Sequence, residues 1–265
     1  MKTNNTQKLR RVAQGACLAL GAGFLELVIL GGKYVIHQAC PYAVVCFGLS
    51  GSNFIRLGNN LLALAIIVGF AILIYTMFFG RRFCAWVCPL GSIQEAIYSL
   101  REKKYRINHR TPYYVERKLA WVKYFVLTAT ATLVVLGLRY LYFRLCPLYA
   151  LSQLPRLAWP GLVLFGLIVF KAFFADRQWC RYLCPYAALM NIFQRLGDLI
   201  GIRRRKVKRN LERCTDCGVC NLYCPMDINI AESEYVNNPN CIHCGLCAQA
   251  CPKPGAYCEE RECEK

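Results

Sequence analysis

The sequence predicts an all-α membrane protein whose four transmembrane helices form a tandem two-helix repeat, followed by a small C-terminal α+β domain. Three observations predict this: four apolar stretches near spanning length, a cysteine–proline pattern that occurs twice in the membrane half, and eight regularly spaced cysteines between positions 214 and 251. The boundaries follow from them. Residues 1–205 form the membrane part, with repeat units at about 12–100 and 119–195, and residues 206–265 form the tail domain.

The apolar stretches run from about Val12–Leu30, Leu61–Phe79, Leu119–Leu138 and Leu157–Phe174. Each approaches the roughly 20 residues needed to cross a bilayer core. The chain is 56% hydrophobic yet carries a net charge of +18. Soluble domains rarely combine the two, whereas a membrane protein does so by keeping its basic residues at one membrane face. Lys and Arg crowd before the first stretch (Lys2, Lys8, Arg10, Arg11), between the second and third (Arg81 to Lys118) and after the fourth (Arg177 to Arg209). The other two loops are poorer in them, which predicts both termini on the cytoplasmic side of a bacterial-type inner membrane. Nucleic acid is not the expected partner, because the basic residues flank apolar spans and no nucleic-acid-binding motif appears. Membrane lipid is.

The tail carries the most specific pattern. Cys214-x2-Cys217-x2-Cys220-x3-Cys224-Pro225 recurs as Cys241-x2-Cys244-x2-Cys247-x3-Cys251-Pro252. This is the spacing of bacterial ferredoxins that hold two [4Fe–4S] clusters, in which the fourth cysteine of each run ligates the other cluster. Cys214, Cys217, Cys220 and Cys251 are thereby assigned to one cluster, and Cys241, Cys244, Cys247 and Cys224 to the second. Gly218 and Gly245 occupy equivalent turns where the backbone must approach a cluster closely. Zinc is the competing metal, since four-cysteine zinc sites also use C-x2-C pairs.

The membrane half repeats its own motif. Gly80-Arg-Arg-Phe-Cys84-Ala-Trp-Val-Cys88-Pro89 follows the second stretch, and Asp176-Arg-Gln-Trp-Cys180-Arg-Tyr-Leu-Cys184-Pro185 follows the fourth. Upstream, Cys40-Pro41 answers Cys146-Pro147. On one helix, cysteines at i and i+4 face the same way. Cys84, Cys88, Cys180 and Cys184 are therefore candidate ligands of a third iron–sulfur cluster bridging the repeats; a redox-active dithiol pair or two incomplete clusters are alternatives. A span is roughly 30 Å long, so Cys40 and Cys146 are expected across the membrane from these pairs unless an outer loop re-enters. With His37 they form a candidate outer metal or electron-exit site, against the alternative of buried small residues. Glu26, an acid inside the first span, is a candidate proton acceptor for quinol oxidation, or the partner of a neighbouring helix. Cys17, Cys258 and Cys263 match no motif.

On the paired C-x3-C-P motifs, the His37–Pro41 motif and the two tail runs, the chain resembles the NapH-type membrane ferredoxins. The resemblance implies a quinol dehydrogenase component that passes electrons to a partner redox subunit such as a ferredoxin, flavoprotein or cytochrome, with quinol as a possible further ligand. The isolated chain is not expected to be a complete enzyme. Two alternatives stay open: a relay from a cytoplasmic donor to an extracytoplasmic flavoprotein, haem or copper acceptor, and a non-redox metal-stabilised scaffold.

Overall fold

A computed structural model describes residues 2–31, 40–49, 60–100, 112–152, 159–202, 204, 206–232, 234–253 and 256–259. His37 and Cys263 lie outside them, as do the connecting loops.

The chain is mostly helical. Helix α1 spans Lys2–Gly31, so the first apolar stretch is the later part of a helix that begins among polar residues. A short α2, Ala43–Cys46, is wholly buried. Helix α3, Asn60–Phe79, is apolar on all sides, as a helix enclosed by lipid and protein must be. The short α4, Arg82–Trp86, leads into α5, Pro89–Ser99. In the second half, α6 (Tyr113–Leu119) runs into α7 (Val122–Val135), followed by α8 (Arg139–Leu145), α9 (Pro147–Ser152) and α10 (Trp159–Ala172). A π turn at Trp179–Leu183 then precedes α11, Pro185–Leu199. Among the described residues, two helical segments are long and apolar enough to cross a bilayer, Leu62–Phe79 and Tyr113–Val135. Trp159–Ala172 is apolar but shorter, its start adjoining residues outside the description.

The two halves pack against each other, while α11 also lies on α7 and α5 on α1. Helix α3 lies along α11, and α10 lies along α5. Tyr186 at the start of α11 donates its hydroxyl to the Gly69 carbonyl in the middle of α3, 2.9 Å away. Large apolar side chains on the long helices, such as Ile67, Phe125 and Phe170, stay exposed, a surface that lipid would cover.

The tail is a small α+β unit. Strands β1 (Val207–Arg209) and β2 (Tyr257–Glu259) pair antiparallel with Lys208 opposite Cys258. Between them stand two one-turn helices, α12 (Val219–Leu222) and α13 (Leu246–Ala250), packed on each other. Gly218 and Gly245 begin these helices in left-handed conformation, at φ 69° and 73°, which glycine adopts without steric cost.

This tail docks on one end of the membrane helices. Gln7 of α1 donates to the Cys244 carbonyl at 2.7 Å. At the end of α3, Gly80 has φ 68° and lacks a side chain where His243 packs, the imidazole Nε2 lying 2.5 Å from where a Cβ would stand. Lys123, early in α7, donates to the side-chain oxygen of Asn240. Arg181, after α10, pairs with Asp227 at 2.8 Å and with Glu116 of α6. The contacts thus involve the start of α1, the end of α3, the α6–α7 segment near its start and the turn that follows α10.

Candidate metal centres

Proline dictates the local shape of both C-x3-C-P motifs. Pro89 and Pro185 each take the first position of a helix, where a missing N–H costs nothing. The residue before a proline is driven out of helical geometry, and Cys88 (ψ 114°) and Cys184 (ψ 111°) are accordingly extended. The expectation that each pair shares one helical face is therefore corrected: Cys84 and Cys180 sit in short turns, and Cys88 and Cys184 cap the next helix. The pairs still converge. Cys180 lies within electrostatic reach of Cys88, Cys184 and Cys84, and Cys184 within reach of both cysteines of the first pair. The packing of α3 on α11 and of α10 on α5 accompanies this approach.

Cys40 joins this group, because it is within reach of Cys146, Cys184 and Cys88. The expected separation by a membrane thickness is corrected accordingly. Residues 40–49 turn inward and α2 packs against the middle of α3, where a Cβ on Gly69 would stand 2.5 Å from the Pro41 carbonyl. Tyr42 fixes the turn through a 2.5 Å hydrogen bond with Thr130, midway along α7. Cys146 is buried beside Tyr142, and Cys46, which the motifs did not single out, is buried within reach of Cys40 and Cys146. Glu26 is exposed on α1.

In the tail, Cys224, Cys241, Cys244 and Cys247 line one cavity with Met226 and Ile242. The crossing of chain between runs thus puts Cys224 beside the second triplet. Burial pushes the Cys224 thiol up to about 12 and the Cys241 thiol up to about 11. Such thiols ionise only when a metal takes the charge. Around the first triplet, Tyr257 donates its hydroxyl to Cys220 Sγ at 3.0 Å, and Arg209 Nη1 lies 3.7 Å from Cys214 Sγ. Cys217 is exposed and Cys251 ends α13 half-buried. Cys258 lies on β2 opposite Lys208.

The donor set fits iron–sulfur clusters. A zinc ion at about 2.3 Å from each sulfur draws its four thiolates tightly around one point, whereas a cubane offers four separate irons. Among the described residues no three Cys, His, Asp or Glu side chains are gathered tightly enough to hold one ion. Four thiols around one cavity are the donor set that a cubane takes.

Between tail cavity and membrane cysteines lies a belt of buried charge that motif reading missed. Glu95 of α5 accepts from Arg10 at 2.6 and 3.2 Å, from Arg177 at 2.5 Å and from Gln14 at 3.0 Å. Burial alone would raise its pKa, but Arg177 and Arg10 hold it down at about 2. Asp176 is pushed up to about 7, burial outweighing the pull of Arg177. The one sequence signal for this belt is an arginine three residues ahead of Cys84 and again ahead of Cys180.

The cysteine runs, the cavity they line and the left-handed glycines define an iron–sulfur protein of the ferredoxin type. A family model described as a 4Fe-4S binding domain matches twice, at residues 61–108 and 157–210, once around each C-x3-C-P motif. A 4Fe-4S dicluster domain matches residues 206–252. An uncharacterized protein of Methanocaldococcus jannaschii, MJ0749, is 31% identical over 71% of this chain and 70% of its own length. The putative electron transport protein YccM of Escherichia coli is 29% identical over 63% of this chain and 48% of its own length. The ferredoxin-type protein NapH of the same organism is 25% identical over 54% of the chain and 48% of its own length. The chain thus matches about half the length of these two E. coli relatives. No solved structure matches it. The chain belongs to the NapH-type membrane ferredoxin family.

Proposed function

We propose that the chain is a membrane-bound iron–sulfur electron-transfer subunit that links the quinone pool to a partner redox protein. The observation that carries this reading is a series of cysteine groups running from the tail into the membrane helices. Cys214, Cys217, Cys220 and Cys251 hold the outermost tail cluster, and Cys241, Cys244, Cys247 and Cys224 hold the one docked on the membrane part. Cys84, Cys88, Cys180 and Cys184 hold a third cluster between the two halves, with Cys40 next in line. Each cluster, when bound, takes up and releases a single electron. The chain's own residues space these sites, bury them and supply the surrounding charge.

The topology is four-pass with both termini cytoplasmic, and the domain boundary falls near residue 205. The docking contacts support it. Gln7, Gly80, Lys123 and Arg181 lie near the start of the first span, the end of the second, the start of the third and the end of the fourth, and all touch the tail or a residue bonded to it. A four-pass chain alternates in that order. Glu26, exposed on α1, would meet quinol or a partner subunit at the helix surface.

The test uses the full chain purified in detergent. Iron and acid-labile sulfide analysis with EPR is expected to return about twelve irons, against about eight for the tail clusters alone. A quinol analogue is expected to reduce the clusters. An unchanged cluster signal overturns the quinone link, and zinc without sulfide overturns the electron-transfer reading altogether.

The inward turn at Cys40 favours a second direction of flow, from a cytoplasmic donor to an extracytoplasmic flavoprotein, haem or copper acceptor. Cys40 and Cys146 then form the exit. Replacing Cys40 by Ser is expected to block delivery while tail-cluster reduction persists, and unimpaired delivery excludes this route.

A further inference from the structure

We infer that Arg81 and Arg177 are the built-in counter-charges of the membrane cluster, each bracing the cysteine turn of the opposite half and together raising the midpoint potential of the cluster. This rests on the reading of Cys84, Cys88, Cys180 and Cys184 as its ligands.

The geometry is reciprocal. Arg81 stands three residues before Cys84, and its Nη2 donates to the carbonyl of Cys180 at 3.4 Å. Arg177 stands three residues before Cys180, and its Nη1 donates to the carbonyl of Cys84 at 2.5 Å. Both side chains are completely buried. Gly91 admits Arg177: a Cβ there would lie 2.8 Å from Nη1. Each guanidinium therefore holds in place the cysteine backbone of the other half, immediately beside the four thiols.

Arg81 is bonded only to neutral oxygens among the described residues, those of Cys180 and Asn240 among them. Lys123, also completely buried, donates to the same Asn240. Among the described residues no carboxylate is hydrogen-bonded to Arg81, while Glu116 lies within electrostatic reach of Lys123. On the other side, Arg10 and Arg177 share the carboxylate of Glu95, and Asp176 lies within electrostatic reach of Arg177. The Nε of Arg81 and that of Arg177 are buried with no hydrogen-bond partner among the described residues. Buried cations without counter-charge are strongly disfavoured. A cubane with four thiolate ligands bears net negative charge in both its oxidation states, so it supplies the counter-charge that no carboxylate bonded to Arg81 provides. A nearby cation favours the more negative, reduced form and so raises the potential.

The test is a redox titration followed by EPR on the full chain in detergent, taking as the membrane signal the one that Cys84→Ser abolishes. Arg81→Gln and Arg177→Gln are each expected to lower its midpoint. The larger drop belongs to Arg81→Gln, because Glu95 already offsets part of the Arg177 charge. Glu95→Gln is expected to move the midpoint upward, an opposite sign that loosened packing would not produce. Arg81→Lys and Arg177→Lys keep the charge and should keep the potential near that of the parent. The tail-cluster signals report folding in every variant. If the glutamine variants lose the membrane cluster while the lysine variants retain it, the counter-charge role stands. Twelve irons with all midpoints unmoved overturn this inference alone, as does loss in both arginine series with Glu95→Gln unmoved. About eight irons in the parent chain overturn the cluster assignment and this inference with it.

Discussion

Gly80 shows how one residue couples the membrane part to the tail. Its left-handed backbone and missing side chain leave room for the His243 ring. Gly80→Ala meets both a strained φ and a collision, so it should destabilise by about 1–3 kcal/mol. The expected outcome is a lower detergent melting temperature, with Arg181 and Asp227 still holding the tail. Two carboxyl groups nearby should respond to pH in opposite directions. Glu95 has its pKa lowered from 4.5 to about 2, so its stabilisation is complete above 4.5 and is lost as pH falls towards 2. Asp176 has its pKa raised from 3.8 to about 7, so the folded state holds its proton more tightly than the unfolded chain does. Stability should therefore decline as pH rises between those values. Asp176→Asn is expected to remove that decline, read as a melting temperature that no longer drops between about pH 4 and pH 7.

At the scale of elements, the π turn at Trp179–Leu183 carries the heaviest electrostatic duty. Arg181, 1% exposed, joins Glu116 of α6 and Asp227 of the tail. Arg181→Met removes the guanidinium that joins Glu116 and Asp227, and breaking a buried pair in this way costs about 3–5 kcal/mol. Chemical unfolding in detergent should show that loss, and protease should cut the tail free more readily in the variant than in the parent chain. The same logic explains why both C-x3-C motifs are irregular. A proline directly after the second cysteine prevents one continuous helix, and the extended Cys88 and Cys184 aim back towards the partner pair. The inward turn at Cys40 depends on Tyr42 and Thr130. Tyr42→Phe removes that hydrogen bond from a buried site and should cost about 1–3 kcal/mol, again read in the unfolding curve.

Across the whole molecule, the membrane part and the tail are one electrostatic body, with buried arginines at their junction and cysteine groups on both sides of it. Much of this was legible in the sequence. Cysteine spacing marks the tail as a two-cluster domain because a cubane demands thiolates at set intervals along a short chain. Apolar length marks candidate spans because the bilayer core admits only long apolar segments. The NapH-type family could be read from the C-x3-C-P pairs for the same chemical reason. Other features depend on which surfaces meet, and local pattern does not encode that. The packing of α3 on α11 and of α10 on α5, the approach of Cys40 to Cys88 and Cys184, and the reciprocal grip of Arg81 and Arg177 arise between residues far apart in the chain. Sequence by itself determined which residues are able to hold metal, since ligand chemistry is local. Tertiary packing alone decided their order in space and the charge that surrounds them, since burial and Coulomb forces act between neighbours that only the folded chain creates.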